Sequence, residues 1–89
     1  MNAIIAVIGH DKVGILAKIS VVCAENNANI IDVNQTVMQR YFAMIMLTDI
    51  SGLSCGFGEF SKKVAAKGGE LGMTVHVMHE DIFNSMHRI

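Results

Sequence analysis

The residues most able to do chemistry in this 89-residue chain form one stretch, Gly9-His10-Asp11-Lys12-Val13-Gly14-Ile15-Leu16. It follows the apolar run Ala3-Ile4-Ile5-Ala6-Val7-Ile8 and leads into a segment of helical periodicity. The pattern predicts a strand that ends where Gly9 allows a tight turn and a helix that starts near Val13 or Gly14. The first N–H groups of a helix lack internal acceptors and carry the positive end of its dipole. Such a start attracts carboxylates and phosphates. Asp11 stands just before it, as an N-cap or as the acceptor for a ligand's ammonium group.

The other reactive side chains are dispersed. Cys23 reads as a small apolar residue on a helix, and Cys55, in Ser54-Cys55-Gly56, precedes a second helix with no base visibly beside it. His76 and His79 are three apart in or near a strand, hence on opposite faces. No metal site is expected, since zinc takes three or four convergent ligands, and no cofactor is implied. The spacing contains no Ser/His/Asp or Cys/His set, so no enzymatic activity is expected.

Composition narrows the class further. Seven Lys and Arg against eight Asp and Glu leave a formal charge of −1. The basic residues form no stripe that could grip a phosphate backbone, so no direct nucleic-acid binding is expected. No apolar run approaches a bilayer span, and the start lacks the marks of a signal peptide. With two thiols and no export signal, a cytoplasmic location is expected. Hydrophobic residues make up 52% of the chain, before 8 glycines are counted. With glycine the fraction is roughly 60%, above the usual range, and one small domain cannot hide so much. A homodimer interface or a covered pocket is therefore expected.

The elements that position these residues follow from hydrophobic period. Residues 2–8 are apolar at consecutive positions, as in a strand buried on both faces. From Val13 to Asn26, Ile15, Ile19 and Val22 form a helical stripe with Leu16 and Cys23 beside it. Asn26-Asn27-Ala28-Asn29 ends that helix, because Asn tolerates the left-handed conformation. In Ile30 to Met38, Ile31, Val33 and Val37 alternate with Asp32, Asn34 and Thr36, so this strand has one wetter face. Tyr41 to Thr48 is apolar throughout, which implies burial on both faces, and Gln39-Arg40 must be the turn between the two. Phe57, Phe60 and Val64 mark a second helix that Gly68-Gly69 should stop. Met73 to Met78 makes a last strand, with Val75 and Val77 on one face. The tail from Glu80 to Ile89 reads as a short helix with Ile82, Met86 and Ile89 on its apolar side.

The order is βαββαβ plus an extension. Central strands should be the doubly apolar first and third, and edge strands the second and fourth. With right-handed crossovers this gives an α+β, ferredoxin-like sandwich: an antiparallel four-stranded sheet of order 4-1-3-2 with two helices on one face. The opposite face is too apolar for water and calls for a partner subunit or the C-terminal tail as a cover.

This order, with Gly9-His10-Asp11-Lys12-Val13-Gly14-Ile15-Leu16 and Asn29-Ile30-Ile31-Asp32, resembles the ACT domain, a small regulatory module for amino acids. The likeness covers residues 2–79, with 80–89 as a C-terminal extension similar to that of the short stand-alone proteins called UPF0237. The resemblance implies a ligand at a homodimer interface, between the first βα loop and the start of a neighbouring second strand. Its implied contacts are Gly9, His10, Asp11, Val13, Gly14 and Ile15 from the loop, with Asn29 and Ile31 from the strand. Asp11 matches the position that touches the ligand's amino or carboxyl group, Gly14 the glycine that lets it approach the backbone, and Asn29 the residue that reaches across. Val13 stands where proline is frequent, and Gly9 where some relatives carry histidine. The chemistry agrees: an amino acid needs neighbouring anion and cation sites, and Asn29 supplies donor and acceptor on one amide.

The expected function is a non-catalytic regulatory or sensor domain that binds a small amino acid or related metabolite and acts on a partner protein. The alternative is a purely structural dimerisation module with no ligand. Two enzyme-like or metal-handling uses of the same fold lack their residues here. Acylphosphatases need an arginine in the first loop, which has only Lys12, and copper chaperones need a Cys-x-x-Cys pair.

Overall fold

In a computed structural model describing residues 1–86, the chain runs β1 (Asn2–His10), α1 (Ile15–Glu25), β2 (Asn29–Met38), β3 (Tyr41–Asp49), α2 (Phe57–Glu70), β4 (Thr74–His79) and α3 (Glu80–Met86). The strands form one antiparallel sheet of order β2-β3-β1-β4, the expected 4-1-3-2 read from the other edge. Alternate side chains of β1 and β3 decide where the core sits. Ala3, Ile5 and Val7 of β1 and Phe42, Met44 and Met46 of β3 are buried against Ile15, Ile19, Val22 and Cys23 of α1 and Phe60 and Val64 of α2. Thr48 shares that buried register because its Oγ1 donates to the Ala3 carbonyl at 3.1 Å.

Several local expectations are corrected. β1 does not turn at Gly9 but continues to His10. A side chain at Gly9 would run into Met73 Sδ, 2.5 Å from where its Cβ would lie, so that glycine serves packing between β1 and the start of β4. Because the strand is longer, α1 begins later, at Ile15, and its N-cap is Gly14 rather than Asp11. Gly14 has φ 83° and ψ 13°, a left-handed conformation that favours glycine, and no side chain caps the helix. α1 ends as expected at the Asn run, with Asn27 at φ 59°.

Gly68-Gly69 does not stop α2, which runs through both to Glu70. Gly68 is buried there because Val75 of β4 fills the space a Cβ would need. The left-handed residue that follows the helix is Gly72, at φ 73°. A β-bulge between Ile30 and Asp32 throws Ile31 out of register with Val33, so Ile31 is exposed and does not share that residue's inward face.

β3 is not buried on both faces within one chain. Tyr41, Ala43 and Ile45 point to the face opposite the helices and are exposed. α3 packs against β1 and β4, and Ile4 of β1, which points to that face, is buried. The expected apolar side of the tail is only partly described: Ile82 is exposed, and His87, Arg88 and Ile89 lie outside the described residues.

Candidate functional site

The loop between β1 and α1 is tied to the β2–β3 turn and passes close to the connection between α2 and β4. Asp11 N–H donates to the Arg40 carbonyl at 2.7 Å, which ties the loop to the β2–β3 turn. Lys12 reaches Gly72, with Nζ 3.2 Å from the position a Cβ there would occupy. Gly14 opens onto empty space, with nothing within 4 Å of where its Cβ would be. The first helical bond of α1 runs from Lys18 N–H to Gly14 O at 3.0 Å. The amides before Lys18 have no acceptor within the helix, α1 has no side-chain cap, and no acidic residue sits in its first turn. This leaves an anion-attracting helix start with the exposed Asp11 carboxylate nearby.

His10, Asp11, Val13 and Gly14 are thus brought together and exposed, and Gly9 lies beneath them in β1. Ile15 is a core residue, so only its backbone faces the loop. Asn29 and Ile31 are elsewhere. Asn29 pairs with Asp49, which also pairs with Asn2, whereas the loop follows His10, paired with Tyr41 at the other end of β1. Eight residue steps at about 3.4 Å separate the two ends by roughly 27 Å. No single chain closes that gap. β2, which begins with Asn29, is an edge strand of the sheet.

A family model described as ACT domain matches residues 2–78 of this fold. The chain belongs to the ACT domain family. The UPF0237 protein of Methanocaldococcus jannaschii is 55% identical over 88 residues, which is 99% of this chain and 98% of the relative. An ACT domain protein from Streptococcus pneumoniae superposes with a TM-score of 0.80 at 36% identity, covering 93% of each chain. The regulatory subunit of aspartate kinase from Thermus thermophilus, in a ligand free form, shares the fold with a TM-score of 0.65 at 22% identity, over 85% of this chain and 49% of that one.

Around this ACT domain's loop, sequence reasoning missed Arg40 and Tyr41. The Tyr41 ring lies 5.4 Å from that of His10, and the Arg40 guanidinium carbon lies 5.9 Å from the Tyr41 centroid. The signal was available in the strand order, because β1 beside β3 puts the β2–β3 turn next to the end of β1. Also missed was the groove of about 420 Å³ between α1 and α2, lined by Val22, Asn26, Lys63 and Ala66 among others. There the buried Asn26 accepts on Oδ1 from Lys63 Nζ at 3.0 Å and Cys55 Sγ at 3.5 Å. Cys23 is different: it is fully enclosed, and burial pushes its thiol up to about 11. Both cysteines are free thiols. His76 and His79 do face opposite sides of β4, with His79 stacked on Phe57 at 4.0 Å between centroids. Among the described residues there is no group of three or more His, Cys, Asp and Glu able to hold a metal, and no helix is long and apolar enough to cross a membrane.

Proposed function

We propose that this chain is a non-catalytic regulatory domain that binds a small amino acid or related metabolite across a homodimer interface in the cytoplasm. The observation that carries the reading is a separation: an uncapped helix start with open space over Gly14 lies at one end of the sheet, and Asn29 lies at the other. Two copies related by antiparallel β2 edges make one site from both. In it the α1 amides receive the ligand carboxylate, Asp11 accepts from its ammonium group, and Asn29 of the second copy closes the site through one amide. His10, Val13 and Ile31 line the rim, Gly9 gives the strand end beneath it, and Ile15 offers its N–H. Binding then favours the closed dimer and changes its affinity for a partner protein. Membership of the ACT domain family supports this reading.

A purely structural dimerisation module is the second reading. It is favoured by the free β2 edge and the exposed apolar sheet face, which ask for a second copy whether or not a ligand binds. Thermal unfolding against a panel of the twenty amino acids and common metabolites separates the two. A true ligand at about 100 times its dissociation constant adds roughly 2.7 kcal/mol and raises the melting temperature by several degrees. Asp11→Ala should abolish that shift and leave the assembly intact. A flat panel removes the sensor reading and leaves the structural one.

A further inference from the structure

Cys55 and Lys63 converge on one buried oxygen. Asn26 follows the last turn of α1 and is only 4% exposed. Its Nδ2 donates to the Val22 carbonyl at 2.8 Å, which leaves Oδ1 facing α2 and the loop before it. That oxygen accepts from Lys63 Nζ at 3.0 Å and from Cys55 Sγ at 3.5 Å, so the nitrogen and the sulfur can lie no more than 6.5 Å apart. The backbone on either side of Cys55 is fixed. Ser54 N–H donates to the Asn26 carbonyl at 3.0 Å, and Phe60 N–H donates to the Gly56 carbonyl at 3.0 Å as α2 begins. Lys63 stands in the second turn of α2 with its side chain 46% exposed. Its other partner is Glu59 at 3.7 Å, an exposed pair that restrains it weakly. Cys55 is half-buried between exposed Ser54 and exposed Gly56. The groove between α1 and α2, which Asn26 and Lys63 help to line, lies beside the pair. Cys23 is instead sealed in the core, where burial holds it as a neutral thiol.

We infer that Cys55 and Lys63 are an oxidant-sensitive pair, which hydrogen peroxide converts into a reversible sulfur–nitrogen link. In the first step the Cys55 thiolate attacks one peroxide oxygen. The O–O bond breaks, hydroxide leaves and takes up a proton as water, and the sulfur, oxidised by two electrons, becomes a sulfenic acid. In the second step the neutral form of the Lys63 amine attacks that sulfur. The N–S bond forms as the S–O bond breaks, and the departing hydroxide carries off the amine proton as a second water. One thiol, one amine and one hydrogen peroxide thus give the link and two waters. Two molecules of a thiol reductant restore both side chains and leave as their own disulfide. A sulfenic acid with no partner goes on to the sulfinic acid, which is not reversed by thiols, whereas a nearby nitrogen or thiol captures it first. Lys63 is placed for that capture, because the same oxygen that holds its ammonium holds the thiol. The link also takes from Asn26 Oδ1 the ammonium and the thiol that it accepts from, so the end of α1 responds to oxidation.

Mass spectrometry of the full chain, treated while folded with one equivalent of hydrogen peroxide, tests the pair. The parent should lose two hydrogens, tandem spectra of a digest should join Cys55 to Lys63, and dithiothreitol should return the original mass. Lys63→Met keeps an apolar stem without the amine and should form no link. Dimedone, which traps sulfenic acids, should label Cys55 of that variant several-fold more than Cys55 of the parent. Cys55→Ser should give neither product, and Cys23→Ala should still give the link, with circular dichroism as a check that each variant folds. The inference is overturned if Cys55 of the parent stays a thiol or if it stops at the sulfenic acid as in Lys63→Met. It is equally overturned if the two hydrogens are lost by joining Cys55 to Cys23 or to a second chain. The ligand reading stands or falls separately, on the amino-acid panel.

Discussion

At the residue scale, what matters is how few positions carry constraints that composition cannot disclose. Gly14 and Gly72 adopt φ values of 83° and 73° that glycine takes without strain, but Asn27 and Gln39 sit at 59° and 57° with side chains attached. Gln39 holds the two-residue turn that hands Arg40 to the β1 loop, so local strain there is offset by the hairpin pairing on either side. Cys23 carries a different constraint. Its thiol is raised from 9.0 to about 11 by burial, so the folded chain favours the neutral form more than the unfolded chain does. The resulting stability is complete below pH 9 and is lost as pH rises through 11. Urea unfolding across that window should show the parent losing on the order of 2 kcal/mol that Cys23→Ala does not lose. The slope with pH is the readout, since the substitution itself lowers stability at every pH.

At the element scale, helix α2 shows why local rules and packing part company. Glycine costs a helix interior up to about 1 kcal/mol relative to alanine, so Gly68-Gly69 reads as a stop. Yet α2 continues, because α2 and β4 approach closely enough that Val75 occupies the place of a Gly68 side chain. Gly69, one residue on, faces open space. The two therefore respond oppositely to the same change. Gly69→Ala should raise the urea midpoint by the equivalent of about 0.5–1 kcal/mol, and Gly68→Ala should lower it by about 1–3 kcal/mol through overpacking. The start of α1 departs from the local pattern for a related reason. Glycine at position 9 marks close packing on Met73 rather than a turn, so β1 continues to His10 and Asp11 cannot reach the first turn as its cap. Strand types, the Gln39-Arg40 turn and the inward stripes of α1 and α2 were legible, because each rests on a period of apolar residues.

At the scale of the whole molecule, burial is distributed by neighbours far away in sequence. Ile4 and Ile8 lie four apart in β1 and point to the same side, yet Ile4 is 6% exposed and Ile8 is 52% exposed. The difference coincides with α3, which returns to pack on β1 and β4. In dilute protein, Ile4→Ala should cost about 2–4 kcal/mol by denaturant unfolding, as for a core residue. Ile8→Ala should cost well under half of that, and its main effect should instead be on assembly.

The amino-acid order alone determined the βαββαβ succession and the central place of β1 and β3. It also located the glycine-flanked loop between β1 and α1, since all of these follow from period and turn residues along the chain. The tertiary structure alone decided that Gly14 caps α1, that Gly68 is a contact, and that Asn29 lies a sheet's length from the loop. These depend on distances between segments that meet only after folding, and a linear pattern of residue types carries no measure of such distances.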